Sequence, residues 1–195
     1  MDFVQILILS IIQGITEFLP ISSQSHLILT SKLLGMSDQG LSFDIALHAG
    51  SLLAILIYYR KEVTKIMSIS DEGIQYLKLI IIGSIPLPII GLLFVDIVSE
   101  NLRTINTIAF MTIVFALLLY FAERRNHENE NSFATLSFFT IIFIGFMQTL
   151  AIMPGVSRSG IVITAALLLS YSREDSIKIA FLLAIPAIFM ATVYQ

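Results

Sequence analysis

Cysteine is absent from this 195-residue chain, and charged residues make up only 13% of it. The absence of cysteine excludes disulfides, thiolate metal sites and thiol nucleophiles, and it argues against a redox function. The net charge of −3 is small and the basic residues are scattered, so nucleic acid is not an expected partner. The chain also lacks the glycine-rich phosphate loops of soluble nucleotide-binding proteins and the ligand spacings of zinc sites.

Apolar residues are plentiful instead. They supply 56% of the chain, and the mean hydropathy of +0.90 lies well above that of a soluble domain. We therefore expect an all-α polytopic membrane protein. Apolar runs predict helices at 3–19, 23–34, 41–59, 77–95, 104–122, 135–152, 157–171 and 176–194. The runs 41–59, 77–95 and 104–122 approach the ~20 residues that cross a ~30 Å hydrocarbon layer, so we predict that each is a full span.

Two pairs of apolar runs are separated only by a short proline-centred break. The first pair is 3–19 with 23–34, and the second is 135–152 with 157–171. Neither break has enough residues to carry the chain across an interface. We predict a re-entrant helical hairpin for each pair; two short full spans are the alternative, and both arrangements satisfy the topology.

Basic residues predict the orientation of these segments. The loops 60–76 and 123–134 contain five lysine and arginine residues, whereas the 96–103 loop contains only Arg103. Because lysine and arginine are enriched in cytoplasmic loops, the first two loops are predicted to be cytoplasmic. The N-terminus and the first hairpin should then open to the extracytoplasmic side.

The two breaks also share a sequence pattern. Pro20 begins "PISSQS" and Pro154 begins "PGVSRS", so both breaks read P-x-x-S-x-S, and a glutamine lies shortly before each proline. Three spans separate the hairpins, which makes the second repeat inverted relative to the first. We predict a first repeat at 1–134 and a second, incomplete repeat at 135–195, within a single membrane domain.

Each break begins a short helix, and the free N–H groups and dipole of a helix start favour an anion. Two such starts that face each other near the midplane would form an anion site. Arg158 adds a guanidinium that matches phosphate oxygens in pairs. A guanidinium in hydrocarbon requires a counter-charge. Glu17 is the candidate partner, and its role is left open between metal ligand, general base and buried counter-ion of Arg158.

Serines and histidines flank the breaks. His26 follows Ser23 by three residues, so the two share a helix face, as a nucleophile and its proton partner would in either assignment. A serine at a helix start can also be an N-cap, a role left open beside a chemical one for Ser22, Ser23 and Ser157 and preferred for Ser22.

Three further polar features are open to more than one interpretation. Asp44 and His48 lie four residues apart on one face, and we expect them to line an entrance or to form an interfacial ion pair. His127 lies in a polar loop and is expected to be a solvated bystander. Gly155 and Gly160 would let the backbone approach an anion closely.

Four motifs together resemble the undecaprenyl-pyrophosphate phosphatase family of bacteria, the bacitracin-resistance type: "QGITEFLPISS" with His26, "FDIALHAGS", "PGVSRSG" and "FLLAIPA". The resemblance covers the chain from Val4 onward. It implies inverted re-entrant repeats in the bacterial plasma membrane, removal of the terminal phosphate of undecaprenyl pyrophosphate, and an active site reached from the extracytoplasmic side. Relatives continue through two further spans, so this chain is expected to be shortened at its C-terminus.

The resemblance also implies roles for individual residues. The family's Q/E-x-x-x-E element falls on Gln13 and Glu17, its serine–histidine element on Ser23 and His26, and its essential arginine on Arg158. The expected mechanism is metal-assisted phosphoryl transfer, in which Glu17 binds a divalent cation, Mg²⁺ or Ca²⁺, and Ser23 or His26 attacks or relays a proton. The residues expected to bind the substrate are Gln13, Gly155, Ser157, Ser159 and Gly160.

Two positions depart from the family pattern, since Ser25 stands where relatives have glycine and Val162 where they have serine or threonine.

The expected partners are the polyprenyl pyrophosphate lipid and the membrane, and a homodimer is left open. The alternative function is a flippase for polyprenyl phosphate lipids, which would need the same anion site but no nucleophile.

Overall fold

The computed structural model describes residues 2–36, 39–125 and 131–194. Within these residues the chain forms ten α-helices, which confirms the predicted all-α fold. The helices are α1 (Phe3–Thr16), α2 (Ser23–Leu33), α3 (Leu41–Tyr58), α4 (Arg60–Ile66), α5 (Asp71–Ser84), α6 (Pro86–Asn101), α7 (Ile105–Arg125), α8 (Phe138–Thr149), α9 (Arg158–Leu168) and α10 (Arg173–Tyr194). Short 3-10 turns occupy Phe133–Thr135 and Leu150–Ile152, before and after α8.

Three helical segments of the described residues are long and apolar enough to cross a membrane; two of them fall on the predicted spans 77–95 and 104–122, and the third falls on the apolar run 176–194. They are Asp71–Phe94, Ile105–Arg125 and Arg173–Val193. The first of these includes α5 and the start of α6, which Pro86 separates. A fourth span is present if α3 and α4 are counted together, although an 80° bend separates them. The polytopic membrane character predicted from hydropathy is therefore confirmed.

The prediction of a loop across 60–76 is wrong, because α4 occupies its beginning and α5 starts at Asp71. The hydroxyl of Ser70 accepts a hydrogen bond from the Gly73 N–H at 3.1 Å, and Asp71 and Glu72 lie at the positive end of the helix dipole. These polar residues start a helix without adding to an apolar run. A search for apolar runs therefore placed the start of α5 six residues too late.

The two predicted hairpins are present as pairs of short helices. α1 contacts α2 across the first break, residues 17–22, and α8 contacts α9 across the second break, residues 150–157. α1 and α8 contain 14 and 12 residues, and α2 and α9 contain 11 each. All four are shorter than the ~20 residues that a span requires, as re-entrant hairpins would be. The inversion of the repeats and the boundary at residue 134 stay predictions.

α10 is the central helix and holds the second hairpin in place. It packs against α3, α5 and α9, and its Ala180 and Ala184 are completely buried. α8 in turn approaches α5 at two glycines: a Cβ atom added to Gly145 would lie 2.4 Å from the carbonyl oxygen of Gly83. Small residues permit such close approach between membrane helices. This packing brings the start of α9 against the first break.

Candidate active site

The first break supplies an acid and a strained turn. Glu17 is the C-cap of α1, and its N–H donates to the carbonyl oxygen of Gln13 at 3.0 Å. Ser22 has a φ of 62°, a left-handed conformation that is uncommon for a residue with a side chain, and it turns the chain into α2. Its hydroxyl lies 2.8 Å from Ser25 Oγ and makes no cap bond. Ser22 stands at the N-cap position, but the predicted capping role is wrong, because its backbone is left-handed and its hydroxyl accepts no hydrogen bond from the first turn of α2.

The carboxylate of Glu17 is only 5% exposed and has four side-chain partners. Oε2 accepts hydrogen bonds from Ser23 Oγ at 2.6 Å and from Gln13 Nε2 at 3.1 Å, and it lies 3.2 Å from His48 Nε2. Oε1 accepts a hydrogen bond from Arg158 Nη2 at 2.8 Å. The partners come from α1, α2, α3 and α9, so residues far apart in sequence meet at one buried carboxylate. We call Glu17 and these four side chains the acid cluster.

The second break supplies the cation and a capped helix start. Arg158 is the first residue of α9, and its side chain is 14% exposed. Ser157 is the N-cap of α9 as predicted, because its hydroxyl accepts a hydrogen bond from the Gly160 N–H at 3.1 Å. Ser159 Oγ lies 3.5 Å from the carbonyl oxygen of Leu19, so α9 touches the first break at a second point. The two breaks therefore meet directly.

His48 is the member of the acid cluster whose role was not identified from sequence. Its Nδ1 lies 2.7 Å from the Asp44 carbonyl oxygen, while its Nε2 faces Glu17. Carbonyl and ionised carboxylate oxygens only accept hydrogen bonds, so both ring nitrogens carry hydrogen when Glu17 is ionised. The expected ion pair between Asp44 and His48 is wrong, because the two ring nitrogens face the Asp44 carbonyl oxygen and Glu17, and neither faces the Asp44 carboxylate. That carboxylate instead lies 2.8 Å from Gln39 Nε2 and 3.7 Å from Arg103 Nη2. The one sequence signal that could have identified the role of His48 is the presence of a histidine within an apolar run.

His26 lies beside a cavity and outside the acid cluster. Its Nδ1 lies 2.9 Å from the Ser22 carbonyl oxygen, and its ring lines a cavity of about 310 Å³. The hydroxyl of Ser23 donates to Glu17, so the structure pairs Ser23 with the acid and not with His26, despite their shared helix. Three predicted substrate-binding residues line the same cavity as His26: Gly155, Ser157 and Gly160.

The two departures from the family pattern have different surroundings. Ser25 is buried, and its hydroxyl forms a hydrogen bond with the hydroxyl of Ser22 in the strained turn. Val162 is completely buried in the hydrophobic core formed with α8 and α10, where it contributes to packing. His127, expected to be a solvated bystander, lies outside the described residues.

A divalent cation bound by Glu17 does not fit this arrangement. Both carboxylate oxygens already face hydrogen-bond donors, whereas Mg²⁺ and Ca²⁺ require several oxygen ligands. Within residues 2–36, 39–125 and 131–194 no group of three or more histidine, cysteine, aspartate or glutamate side chains is placed to hold a metal ion. The surroundings of Glu17 stabilise a carboxylate and do not form a ligand set.

Comparison with known proteins agrees with these features. The family model "Bacitracin resistance protein BacA" matches residues 6–195. An undecaprenyl-diphosphatase from Vesicomyosocius okutanii subsp. Calyptogena okutanii is 44% identical over 202 residues, which cover 99% of this chain and 76% of that protein. Undecaprenyl-diphosphatases from Saccharophagus degradans and Alteromonas mediterranea are 44% and 45% identical; the alignments cover 100% and 98% of this chain, and 76% and 75% of those proteins. The chain therefore belongs to the bacitracin resistance protein BacA family.

Proposed function

We propose that this chain hydrolyses undecaprenyl pyrophosphate to undecaprenyl phosphate and inorganic phosphate, and so regenerates the lipid carrier used in cell-wall synthesis. Its family and the relatives named undecaprenyl-diphosphatase support this activity. One structural observation carries the proposal. A hydroxyl, a carboxylate and a guanidinium, from Ser23, Glu17 and Arg158, are in contact where the two breaks meet.

The electrostatics of the acid cluster favour a phosphate ligand. Glu17 carries one negative charge and Arg158 one positive charge, and His48 adds a second positive charge whenever both its ring nitrogens carry hydrogen. The starts of α2 and α9 add partial positive charge from their free N–H groups. The terminal phosphate of the substrate would offset this excess, and Arg158 can contact two of its oxygens at once.

Ser23 is the nucleophile in this proposal. Its Oγ forms a bond to the terminal phosphorus, its proton passes to Glu17 Oε2, and the bond between the terminal phosphorus and the bridging oxygen breaks. Undecaprenyl phosphate leaves with that electron pair. Protonation of Glu17 weakens its ion pair with Arg158, which frees the guanidinium for the transferred phosphate. Water then attacks the phosphorus of the phosphoserine, and the bond between phosphorus and Ser23 Oγ breaks. Oγ takes its proton back from Glu17, the hydroxyl of the water stays on phosphorus, and the remaining proton of the water leaves with inorganic phosphate.

His26 is the alternative nucleophile. Its Nδ1–H donates to the Ser22 carbonyl oxygen, which leaves the Nε2 lone pair available beside the cavity. Acid quenching of the enzyme with substrate labelled in the terminal phosphate distinguishes the two residues. Phosphoserine is stable in acid and should disappear in Ser23→Ala, whereas phosphohistidine is labile in acid and stable in base. An acid-labile label that persists in Ser23→Ala would assign the attack to His26.

A divalent cation enters this proposal as the counter-ion of the substrate. Mg²⁺ or Ca²⁺ would bind the pyrophosphate oxygens, which are ligands that these ions prefer, and not the saturated carboxylate of Glu17. Titration calorimetry with Mg²⁺ or Ca²⁺ alone should then give no binding heat to the detergent-solubilised protein. Saturable binding that Glu17→Gln removes would restore the resident-metal interpretation.

A flippase is the second candidate, because two helix breaks that meet inside a membrane are also a transporter design. Detergent-solubilised protein has no membrane sides to connect, so phosphate release in detergent supports the phosphatase and its absence supports the flippase. We place the site on the extracytoplasmic side of the bacterial plasma membrane, from the distribution of basic residues.

A further inference from the structure

The cavity beside His26 has one polar wall and one apolar wall. The polar wall contains His26 and Ser157 from the two hairpins, and the apolar wall contains Phe115, Ala116 and Leu119 of α7. A ligand that filled it would therefore need a polar group and a hydrocarbon group close together. The acid cluster consists only of polar and charged side chains, so a hydrocarbon group would bind in the cavity and not at Glu17.

The apolar wall is one face of α7. Thr112, Phe115, Ala116 and Leu119 follow the i, i+3, i+4, i+7 spacing of a single helix face. The opposite face includes Val114 and Leu117, whose side chains are exposed. α7 thus presents one side to the cavity and another to its surroundings.

Close backbone contact fixes α7 against the second break. Gly155 has a φ of +98°, and a Cβ atom there would lie 2.5 Å from the carbonyl oxygen of Ile108. The hydroxyl of Thr112 also donates to the Gly155 carbonyl oxygen at 3.2 Å. Only glycine permits both the backbone conformation and this approach. The apolar wall therefore stands at a set distance from Ser157 and the start of α9.

We propose that this cavity binds the isoprene units next to the pyrophosphate of the substrate, a proposal that rests on the phosphatase function above. A polyprenyl pyrophosphate joins a charged group directly to a hydrocarbon chain, as the two walls require. The volume of about 310 Å³ lies at the lower end of the ~300–1,000 Å³ usual for small-molecule sites, so it accepts the beginning of a long chain. Pro20, Ile21 and Ala116 are exposed, and the remaining chain can leave past them into the bilayer.

The assignment gives the two regions separate tasks. Arg158 and Ser23 act on the terminal phosphate, whereas α7 recognises the hydrocarbon bonded to the inner phosphate. His26 and Ser157 form the polar wall of the cavity and would contact the inner phosphate. Recognition of the chain should therefore appear in KM and not in the chemical step.

A cavity-filling substitution with a matched control tests the assignment. Ala116→Phe adds an aromatic ring on the cavity face of α7, and Val114→Phe adds one on the opposite face of the same helix. Ala116 and Val114 are already exposed, so the larger side chains need not disturb the core. With undecaprenyl pyrophosphate and farnesyl pyrophosphate, Ala116→Phe should raise KM at least tenfold with little change in kcat, and Val114→Phe should change KM less than twofold.

Photocrosslinking gives a readout that does not depend on turnover. A prenyl pyrophosphate with a photoreactive group in its first isoprene unit should label the 112–119 segment of the parent protein, as identified by mass spectrometry. The label should persist in Val114→Phe and be lost in Ala116→Phe. Equal KM values in the two variants, or labelling confined to another segment, would overturn the cavity assignment while the phosphatase activity stood. A parent protein that releases no phosphate would instead overturn the proposed function.

Discussion

The two breaks share a sequence pattern but carry different chemistry. In the first break Gln13 is followed four residues later by Glu17, and its amide donates to that carboxylate at 3.1 Å. In the second, Gln148 is followed four residues later by Ile152. The Gln148 side chain is completely buried, and neither amide atom has a hydrogen-bond partner among the described residues. The shared pattern sets where a helix breaks, and the residues around it decide which half carries the acid.

The serines of the two breaks differ in the same way. Ser157 has an extended backbone and caps α9, which leaves an ordered helix start beside Arg158. Ser22 has a left-handed backbone, and the next residue, Ser23, turns its hydroxyl toward Glu17. The first break thus provides the acid and a hydroxyl that donates to it, and the second provides the cation and a capped helix start. The proposed active centre therefore requires residues from both halves.

The sharpest test of the comparison concerns membrane sidedness, where an all-or-none contrast is expected. Single cysteines replace Leu34, at the end of α2, and Ala134, before α8. An impermeant thiol reagent added to intact cells should label Leu34→Cys and leave Ala134→Cys unlabelled, because the basic loops are predicted to be cytoplasmic. Labelling of both after lysis is the control. The reverse pattern would invert the topology and move the site to the cytoplasmic face.

Arg158→Lys should have the largest effect on catalysis. The ammonium keeps the charge but cannot contact two phosphate oxygens in a plane, so kcat/KM should fall about 100-fold or more. The matched control is Arg173→Lys, since Arg173 is exposed and pairs with Glu123 away from the acid cluster. Phosphate release in detergent measures both. Near-normal turnover of a folded Arg158→Lys protein would remove this guanidinium from the phosphate site.

Substitution of His48 tests how the first break orients its acid. Glutamine can place an amide N–H near the position of Nε2, whereas asparagine can place one near Nδ1. His48→Asn should lose the bond to Glu17, and a hydrogen bond to a charged group contributes about 1.5–3 kcal/mol, or about 10–100-fold in kcat. His48→Gln should retain most of the activity.

The opposite order of these two variants would assign His48 a structural role at the Asp44 carbonyl. KM should change less than kcat in His48→Asn, because His48 contacts Glu17 and lies outside the proposed chain-binding cavity. Equal losses in both variants with lowered thermal stability would also contradict an orienting role.

The smallest effect on activity is expected for substitutions of the corresponding glutamines of the two breaks, Gln13 and Gln148. Gln148→Met removes buried amide atoms that lack partners, so it should raise the free energy of unfolding by about 1 kcal/mol with little change in activity. Gln13→Met removes a donor to Glu17 and should lower kcat. Thermal unfolding in detergent and phosphate release measure the two effects. A loss of activity in Gln148→Met equal to that in Gln13→Met would mean that both halves take part in the chemistry.

Local patterns were sufficient for part of this description. The apolar runs predicted the helices, and the spacing of Gln13, Glu17 and Ser23 around a proline predicted a polar group inside the membrane. The role of His48 was not predicted, because its partner Glu17 lies on another helix and the nearer Asp44 offered a plausible local pair. The separation of Ser23 from His26 was also missed. Both residues lie on one helix face, but a backbone carbonyl and a distant carboxylate draw their side chains to different neighbours.

The sequence by itself determined that this protein lies in a membrane and where its apolar helices and their breaks fall. Hydropathy, helix length and proline depend on residues within one turn or one span of each other, so they can be read in order along the chain. Only the tertiary structure decided that Glu17 meets Arg158 across 141 residues, that His48 joins them, and that α7 lines the cavity beside His26. These contacts depend on how α3, α7, α9 and α10 pack around the two breaks. A buried carboxylate is stable only where such packing brings its donors together.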